Sequence, residues 1–182
     1  MVRLAGIEVP LPAGGFLQAT AFADAELALA LQEWAGPASN AADLHAGLGT
    51  LSLPLATAGI RVHAVDTATD ALLSLRTAAA GHRLPVTTEA RDLARRPLGP
   101  AELARFDLVV LDPPRAGAAE QVRALAASQV PRLIHAACDP ATFARDARIL
   151  TEGGYQLLTV RPLDQFLFSA EIELVALFVR GA

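Results

Sequence analysis

The sequence has little cysteine, few aromatic residues and no strong excess of charge. Of its 182 residues only Cys138 is a cysteine, which excludes an internal disulfide and any cysteine-rich metal or iron–sulfur site. The formal net charge is −4, which argues against a free-standing nucleic-acid-binding domain, because such domains are usually strongly basic. The four histidines are scattered without the spacing of metal ligands, so no metal site is predicted.

Long hydrophobic runs are also lacking. No apolar run reaches the roughly 18 residues of a membrane-spanning helix, and the N-terminal segment has no apolar core of the kind found in secretion signals. We therefore expect no membrane span and a cytoplasmic location. The apolar content of 53% and the charged content of 19% indicate a folded domain, and the length suits one domain with a substantial core.

Strand-like and helix-like segments alternate along the chain. Seven short apolar runs predict strands, at Ala41–Leu44, Ile60–Val65, Leu84–Thr88, Phe106–Leu111, Pro131–Ala137, Tyr155–Val160 and Ile172–Val179. Helical patterns fill the intervals and also precede the first strand; one of them, Thr67–Ala80, begins with a cap at Thr67 or Thr69. This alternation predicts an α/β fold with a mostly parallel sheet and helices on both faces. The last two strands have no helix between them, which predicts an antiparallel C-terminal edge strand.

A glycine turn and three acids follow the first three predicted strands. Asp43 ends the first strand and is followed by Gly47 and Gly49, while Asp66 and Asp92 end the next two. Acids at such strand ends accept hydrogen bonds from nucleoside groups in Rossmann-like folds. The turn reads G-x-G, without the third glycine of the dinucleotide fingerprint. Adenosine binding is the better interpretation, and S-adenosylmethionine fits the turn better than ATP or NAD.

Two further strand ends carry chemically distinctive residues. LDPPRAG at Leu111–Gly117 supplies Asp112 and Arg115, and HAACDPATFARDA at 135–147 supplies Cys138 directly before a predicted helix. A thiol at a helix N-terminus is expected to have a lowered pKa and more thiolate, although a lone cysteine can equally be a small buried hydrophobe. An acid and a thiol on adjacent strand ends suggest covalent catalysis on a polar, ring-shaped substrate.

These segments occur in the order seen in a known family. GGFLQAT, DLHAGLGTLSLPLA, RDL, DPPRAG, CDPATFARDA and FSAEIELVALF resemble the RNA 5-methyluridine (uracil-C5) methyltransferase family over nearly the whole chain. The resemblance implies a class I S-adenosylmethionine-dependent methyltransferase fold, Rossmann-like, with a seven-stranded sheet. It also implies a division into 1–20, a short remnant of a preceding domain, and 21–182, the catalytic domain.

The resemblance assigns chemical roles. Cys138 corresponds to the nucleophile that attacks carbon 6 of uracil, Asp112 to the acid that orients the base, and Glu173 to the general base. Desolvation in an apolar strand would raise the pKa of that glutamate towards neutrality. Substrate-binding positions are Gln18 and Arg115. The implied cofactor-binding positions are Gln18, Asp43, Gly47, Gly49, Asp66, Asp92 and Asp112.

The implied cofactor is S-adenosylmethionine, without an iron–sulfur cluster in this chain, and the implied partner is rRNA or tRNA. Family members carry an N-terminal RNA-binding domain, so we expect RNA affinity to need an additional domain, and we expect a monomer. The sequence departs from the family pattern at Thr20, His45, Asp139 and Glu171. Two other interpretations stay open: a methyltransferase whose DPPR motif presents an amino group of another substrate, and a non-catalytic adenosyl-binding module.

Overall fold

Strands and helices alternate along the chain as the sequence predicts. The computed structural model describes residues 1–165, 168 and 171–181. Its elements are β1 Val2–Leu4, β2 Ile7–Val9, α1 Ala21–Trp34, β3 Asn40–Leu44, α2 Ser52–Thr57, β4 Arg61–Asp66, α3 Thr69–Gly81, β5 Val86–Ala90, α4 Pro100–Leu103, β6 Leu108–Leu111, α5 Ala119–Ala126, β7 Arg132–Ala137, α6 Pro140–Glu152, β8 Tyr155–Leu163 and β9 Glu173–Arg180.

Within those ranges, seven strands form one sheet in the order β5-β4-β3-β6-β7-β9-β8. The five strands from β5 to β7 pair in parallel, and β9 pairs antiparallel with both β7 and β8. The predicted seven-stranded sheet and its antiparallel C-terminal hairpin are confirmed. In detail, the antiparallel strand β9 lies one place inside the edge, because the longer β8 takes the outermost position.

Side-chain alternation along the central strands explains why helices cover both faces. In β6 all four residues are fully buried; Leu108 and Val110 join the core beneath α1 and α2, while Val109 and Leu111 join the core beneath α5 and α6. A strand that is buried on both faces has a continuous apolar sequence, and the predicted strand Phe106–Leu111 has this pattern. No helix in the described ranges is both long and apolar enough to cross a membrane.

The N-terminal segment forms a small hairpin beside this sheet. The sequence leaves one or two strands or a linker open, and the structure shows β1 and β2 paired antiparallel. Ala5 and Gly6 both have positive φ, at 49° and 80°, as in the type I′ turns that suit two-residue hairpins. Buried residues of the hairpin, such as Val9, pack against α3 residues such as Leu75.

Two local predictions need correction. The cap predicted for α3 at Thr67 or Thr69 is wrong: Ala68 occupies the N-cap position and makes no side-chain cap. Instead, the carboxylate of Asp66 accepts a hydrogen bond from the Ala68 backbone N–H at 2.8 Å. The short helix α4 was not predicted, since four residues are too few to show a helical period.

The strand order places the loops that carry chemistry at one edge. Connections turn in opposite directions from the β3–β6 pair, and ligands in open α/β sheets bind in the crevice at this switch point, outside the carboxyl ends of the strands. The segments after β3, β4, β6, β7 and β8 all leave the sheet at that edge. Because β9 is antiparallel, its first residue, Glu173, starts there as well.

Candidate active site

A cavity of about 870 Å³ opens at the carboxyl edge of the sheet. Its wall is built by the segment 12–19 and by the loops after β3, β4, β6, β7 and β8. Of the ten site residues predicted from sequence, seven line it: Gln18, Gly47, Asp66, Asp112, Arg115, Cys138 and Glu173. The structure thus brings together the predicted nucleophile, the predicted base and part of the predicted cofactor site. Asp43, Gly49 and Asp92 lie off the cavity wall.

The glycine turn after β3 exposes backbone to the cavity at one glycine and packs at the other. A Cβ added to Gly47, which has φ +52°, would meet no atom within 4 Å, so a ligand could approach the backbone closely there. At Gly49, with φ +94°, a Cβ would lie 2.4 Å from the Leu75 side chain of α3. The absence of a side chain at Gly49 therefore allows the turn to pack closely against α3.

Asp66 is held in place by the loops on either side. Its Oδ2 accepts from the Gly47 N–H at 2.9 Å, and its Oδ1 accepts from the Ala68 N–H at 2.8 Å. Oδ1 also accepts from the Thr67 hydroxyl at 3.5 Å, whereas Oδ2 keeps a second lone pair that can accept from a hydroxyl group in the cavity. The fixed carboxylate and the open glycine backbone beside it suit the ribose end of an adenosyl ligand.

Asp43 is fully buried behind the cavity wall. Its Oδ2 accepts from the Ser52 hydroxyl at 2.6 Å, and its Oδ1 is buried without a hydrogen-bond partner among the described residues. Burial, opposed by the Ser52 hydrogen bond and reinforced by the charges of Asp112 and Asp66, raises the pKa of Asp43 to about 7. Such an acid can change its protonation near neutral pH.

Asp92 occupies a different setting on the surface. Its Oδ1 accepts from the backbone N–H groups of Ala94 and Arg95 at 3.0 and 3.2 Å, and its side chain is 45% exposed. These contacts shape the loop after β5. The predicted cofactor contact of Asp92 stays a prediction, since the side chain is not on the cavity wall.

A chain of hydrogen bonds joins the predicted base-orienting acid to the predicted general base. Gln18 Nε2 donates to Asp112 Oδ2 at 3.1 Å. Gln165 Nε2 donates to Gln18 Oε1 at 3.3 Å and to Glu173 Oε2 at 3.2 Å. Gln165 was missed from the sequence, because a lone glutamine in the segment between β8 and β9 carries no motif.

The two carboxyl groups at the ends of this hydrogen-bond network, those of Asp112 and Glu173, both have raised pKa values. Burial raises the pKa of Asp112 to about 6, against the lowering effects of His135 and of the Gln18 hydrogen bond. Burial, with the nearby Asp112 charge, raises the pKa of Glu173 to about 7, and the Gln165 hydrogen bond opposes this rise. A carboxyl group with a pKa near the working pH is suited to accepting a proton in a reaction. The desolvation expected for Glu173 from its apolar strand is thus found.

Cys138 does not have the lowered pKa that its place before α6 suggested. Burial raises the pKa of its thiol, and the charges of Glu173 and Asp112 raise it further, whereas Arg115 lowers it. The expectation of a thiolate-rich cysteine is therefore wrong for the ligand-free protein. The two carboxyl groups come from distant parts of the sequence, and together with burial they outweigh the helix terminus.

The N-terminus of α6 is occupied by the neighbouring residue. Asp139 is the N-cap of α6, and its Oδ1 accepts from the Ala141 and Thr142 N–H groups at 2.9 Å each. These hydrogen bonds lower the pKa of Asp139. The partial positive charge at the N-terminus of α6 therefore interacts mainly with the Asp139 carboxylate. This is a second reason why the helix does little to lower the pKa of the Cys138 thiol.

The other departures from the family pattern also have local partners. Thr20 caps α1, with its hydroxyl accepting from the Ala23 N–H at 3.1 Å. Glu171 pairs with Arg115 through two contacts of 3.1 and 2.9 Å, and this pair raises the pKa of Arg115. Arg115 lines the cavity mouth with its guanidinium already oriented by a carboxylate.

One face of α6 fastens the loop that carries Asp112 and Arg115. The Thr142 hydroxyl donates to Arg115 O at 3.1 Å, Arg145 Nη2 donates to Ala116 O at 3.0 Å, and the buried Asp146 Oδ2 accepts from the Ala118 N–H at 2.9 Å. We call these three side chains the α6 clamp. Sequence reasoning missed them because their partners are backbone groups of another loop.

Gly117 is what allows the α6 clamp to close. Its φ is +73°, and a Cβ there would lie 2.3 Å from Arg145 Nη2 and 2.8 Å from Asp146 Oδ2. Only glycine fits such a conformation and such a close approach. Since α6 also begins just after Cys138, the clamp fixes the DPPR loop relative to the thiol.

The order of the strands and the cavity at the carboxyl edge of the sheet are those of a class I S-adenosylmethionine-dependent methyltransferase fold. The family model of the methyltransferase small domain matches residues 20–139, and the chain belongs to that family. An uncharacterized RNA methyltransferase of Caulobacter vibrioides is 46% identical over 99% of this chain and 44% of its own length. The 23S rRNA (uracil(1939)-C(5))-methyltransferase RlmD of Pseudomonas fluorescens is 38% identical over 91% of this chain and 37% of its own length.

Among solved structures, the tRNA (uracil-54, C5)-methyltransferase of Pyrococcus abyssi, in complex with S-adenosyl-L-homocysteine, superposes with a TM-score of 0.84 at 26% identity. That similarity covers 97% of this chain and 43% of the archaeal chain. The chain thus spans less than half the length of each of these relatives.

Proposed function

We propose that this chain is the catalytic part of an S-adenosylmethionine-dependent RNA methyltransferase that modifies carbon 5 of a uridine. One observation carries the proposal: Cys138 and Glu173 line the same cavity, and Glu173 belongs to a hydrogen-bond network that includes Asp112 and Gln18. A thiol beside a carboxyl group with a pKa near 7 provides a nucleophile and a proton acceptor together. The names of the relatives support an RNA substrate and, for the more distant ones, uracil carbon 5.

Uracil carbon 5 is too weak a nucleophile to take a methyl group unaided, so it must be activated. In the proposed reaction the Cys138 thiol gives its proton to solvent and its sulfur bonds to carbon 6, which moves the carbon 5–carbon 6 π electrons into an enolate. Bound S-adenosylmethionine would supply the electrophilic methyl group to carbon 5, with its sulfonium–methyl bond breaking to leave S-adenosylhomocysteine, and Gly47 and Asp66 would hold its adenosyl end. Covalent addition divides one difficult step into easier ones.

Completion of the reaction requires a base. After carbon 5 carries its methyl group, Glu173 accepts the carbon 5 proton, the double bond re-forms and the carbon 6–sulfur bond breaks. The thiolate leaves, and the proton on Glu173 passes to solvent. Gln18 already donates a hydrogen bond to Asp112 at 3.1 Å, and the second amide hydrogen of Gln18 and the other carboxylate oxygen of Asp112 are of the types that pair with a carbonyl and an N–H on the edge of uracil.

RNA affinity must come largely from elsewhere. The chain has a formal net charge of −4, and the cavity wall carries four carboxyl groups, those of Asp66, Asp70, Asp112 and Glu173, for the one guanidinium of Arg115. Phosphate contacts supply most non-specific nucleic-acid affinity and require basic side chains. We propose that an additional RNA-binding domain presents the target uridine, flipped out or in a loop, to this cavity.

A mechanism-based trap tests the chemistry. The chain is mixed with S-adenosylmethionine and RNA containing 5-fluorouridine, then run on a denaturing gel. Fluorine cannot leave as a proton, so the proposed reaction stops at the covalent complex and gives a shifted band. Cys138→Ala should abolish the band, while Thr151→Ala, at the far end of the helix that follows Cys138, should retain it.

Other outcomes separate the alternatives. The RNA-binding domain of a longer relative is supplied in trans, so that weak RNA affinity does not mask the chemistry. With cofactor binding confirmed by calorimetry, the absence of a band under these conditions would refute uracil chemistry. Methyl transfer that persists in Cys138→Ala would instead indicate an amino-group substrate. Cofactor binding without any methyl transfer would indicate a non-catalytic module.

A further inference from the structure

Gln165 is a buried polar residue with an unusual set of contacts. Its side chain lines the cavity and the residue is only 6% exposed. One amide nitrogen donates to two acceptors on different segments, Gln18 Oε1 and Glu173 Oε2, at 3.3 and 3.2 Å. An amide NH₂ has two hydrogens, so both bonds can form at once. The side chain ties the segment before α1 to the first residue of β9.

We infer that Gln165 is a positioning residue that holds the carboxylate of Glu173 in place and favours its ionised form. This inference rests on the proposed function only for its meaning in catalysis; the contact itself does not depend on the substrate. Gln165 acts through Glu173 and is not required to touch the substrate.

Geometry supports a specific role at Glu173. Among the described residues, Gln165 supplies the hydrogen bond that the Glu173 carboxylate accepts. Glu173 is 3% exposed, so water provides little alternative. A buried carboxylate without donors is strongly disfavoured relative to its neutral form. The amide of Gln165 is therefore what makes an ionised Glu173 tolerable at this position.

The surroundings of Glu173 work in the opposite direction. The charge of Asp112, at the end of β6, raises the pKa of Glu173 together with burial. The Cys138 thiol, at the end of β7, interacts electrostatically with Glu173 and would repel it further as a thiolate. Arg115, the basic group of this wall, is paired with Glu171. Asp112 and a Cys138 thiolate both disfavour an ionised Glu173. The neutral amide of Gln165, in the segment after β8, is the contact that stabilises the Glu173 carboxylate.

The connection to Gln18 adds a constraint on geometry. Because Gln18 is bonded to Asp112 at its other end, Gln165 joins the proton acceptor to the pair expected to orient the base. Removing the amide would free Glu173 and Gln18 at the same time. The expected result is both a shift in the pH dependence and a looser site.

Gln165→Met is the test, because methionine has a similar length without a hydrogen-bonding amide. Loss of a hydrogen bond to a charged group should raise the pKa of Glu173 by about one pH unit. The readout is a ¹³C NMR titration of side-chain carboxyl carbons in the whole chain, with Glu173→Gln identifying the resonance. The matched control is Gln156→Met on the exposed part of β8, which should leave the titration unchanged.

The second readout is the pH profile of methyl transfer. The acid limb of kcat/KM should move upwards by the same amount in Gln165→Met, whereas a purely structural loss would lower the rate at every pH. If Gln165→Met does not fold, Gln165→Glu takes its place; a second carboxyl group beside Glu173 should shift the titration upwards by more than one unit.

The outcomes separate this inference from the proposed function. An unchanged Glu173 titration in a folded Gln165→Met protein would overturn the inference even if the enzyme methylates uridine. A shifted titration in a protein that never traps 5-fluorouridine RNA would leave the inference intact and refute the proposed function. A shifted titration with a shifted acid limb supports both.

Discussion

Replacing Asp43 by asparagine should stabilise the protein in a pH-dependent manner. Asp43 is fully buried, has one oxygen without a partner among the described residues, and has a pKa of about 7 against an ordinary value of 3.8. Asparagine has nearly the same shape, and its carbonyl oxygen can still accept from the Ser52 hydroxyl. The substitution thus removes a titratable group while keeping the one hydrogen bond that Asp43 makes.

The magnitude follows from proton linkage. A carboxyl group whose pKa is raised on folding binds its proton more tightly in the folded state, so stability falls as the pH rises from about 4 to about 7. At 1.36 kcal/mol per pKa unit, the pKa shift of Asp43 predicts that wild type loses about 2.5 kcal/mol more than Asp43→Asn between about pH 5 and pH 8. Titrating groups that do not interact with Asp43, including Glu173, are common to both proteins and cancel in the difference.

Urea unfolding of wild type and Asp43→Asn at the two pH values measures this difference. The free energy of unfolding of the variant, minus that of wild type, should grow by about 2.5 kcal/mol from the lower to the higher pH. Asp164→Asn, at an exposed position, is the matched control and should give a constant difference. A constant difference for Asp43→Asn would refute the reasoning, because it would mean that Asp43 ionises in the folded protein as readily as in the unfolded chain.

The remaining predictions concern the catalytic loops. Gly117→Ala should destabilise the protein by about 2 kcal/mol in urea unfolding, because φ is +73° and a Cβ would meet Arg145; wild-type stability would contradict the close approach. Glu173→Gln should form a covalent complex with ordinary uridine RNA on a denaturing gel without turnover, since proton removal is blocked; normal product formation would exclude Glu173 as the base. Asp139→Ala should lower the thermal midpoint by a few degrees because the cap of α6 is lost, and it should lower the pKa of the Cys138 thiol because no carboxylate then occupies the helix terminus. Asp139→Asn, which keeps the cap acceptor, should retain the midpoint.

Much of the fold could be predicted because its signals are local. Phe106–Leu111 is a continuous apolar run and contains the fully buried strand Leu108–Leu111, and the predicted strand Tyr155–Val160 lies within β8. Because the carboxyl ends of parallel strands meet at one edge of a sheet, the sequence also indicates that Asp66, Asp112 and Cys138 lie near one another. The succession of strands along the chain and the turn residues between them are sufficient to predict the fold to this extent.

The rest depends on contacts between distant positions. Gln165 meets Gln18 across 147 positions, and no periodicity or motif reports such a pair. The pKa of Cys138 was predicted in the wrong direction for the same reason: the helix terminus next to it is visible in the sequence, whereas Glu173 and Asp112 approach only in the folded chain. The α6 clamp escaped because side chains that bind backbone leave no pattern in the sequence of their partner loop.

The electrostatics of the cavity favour the protonated form of the Cys138 thiol, the nucleophile of the proposed reaction. Neighbouring carboxyl groups raise the pKa of the Cys138 thiol, and a thiol is far less reactive than a thiolate. Burial raises the pKa of both carboxyl groups, and the charge of Asp112 raises that of Glu173 further, so that Asp112 and Glu173 change protonation at about 6 and about 7. Near neutral pH the wall can therefore take up a proton at little cost in free energy. A site arranged in this way keeps its cysteine protonated in the free protein and has proton acceptors beside it when a substrate fills the cavity.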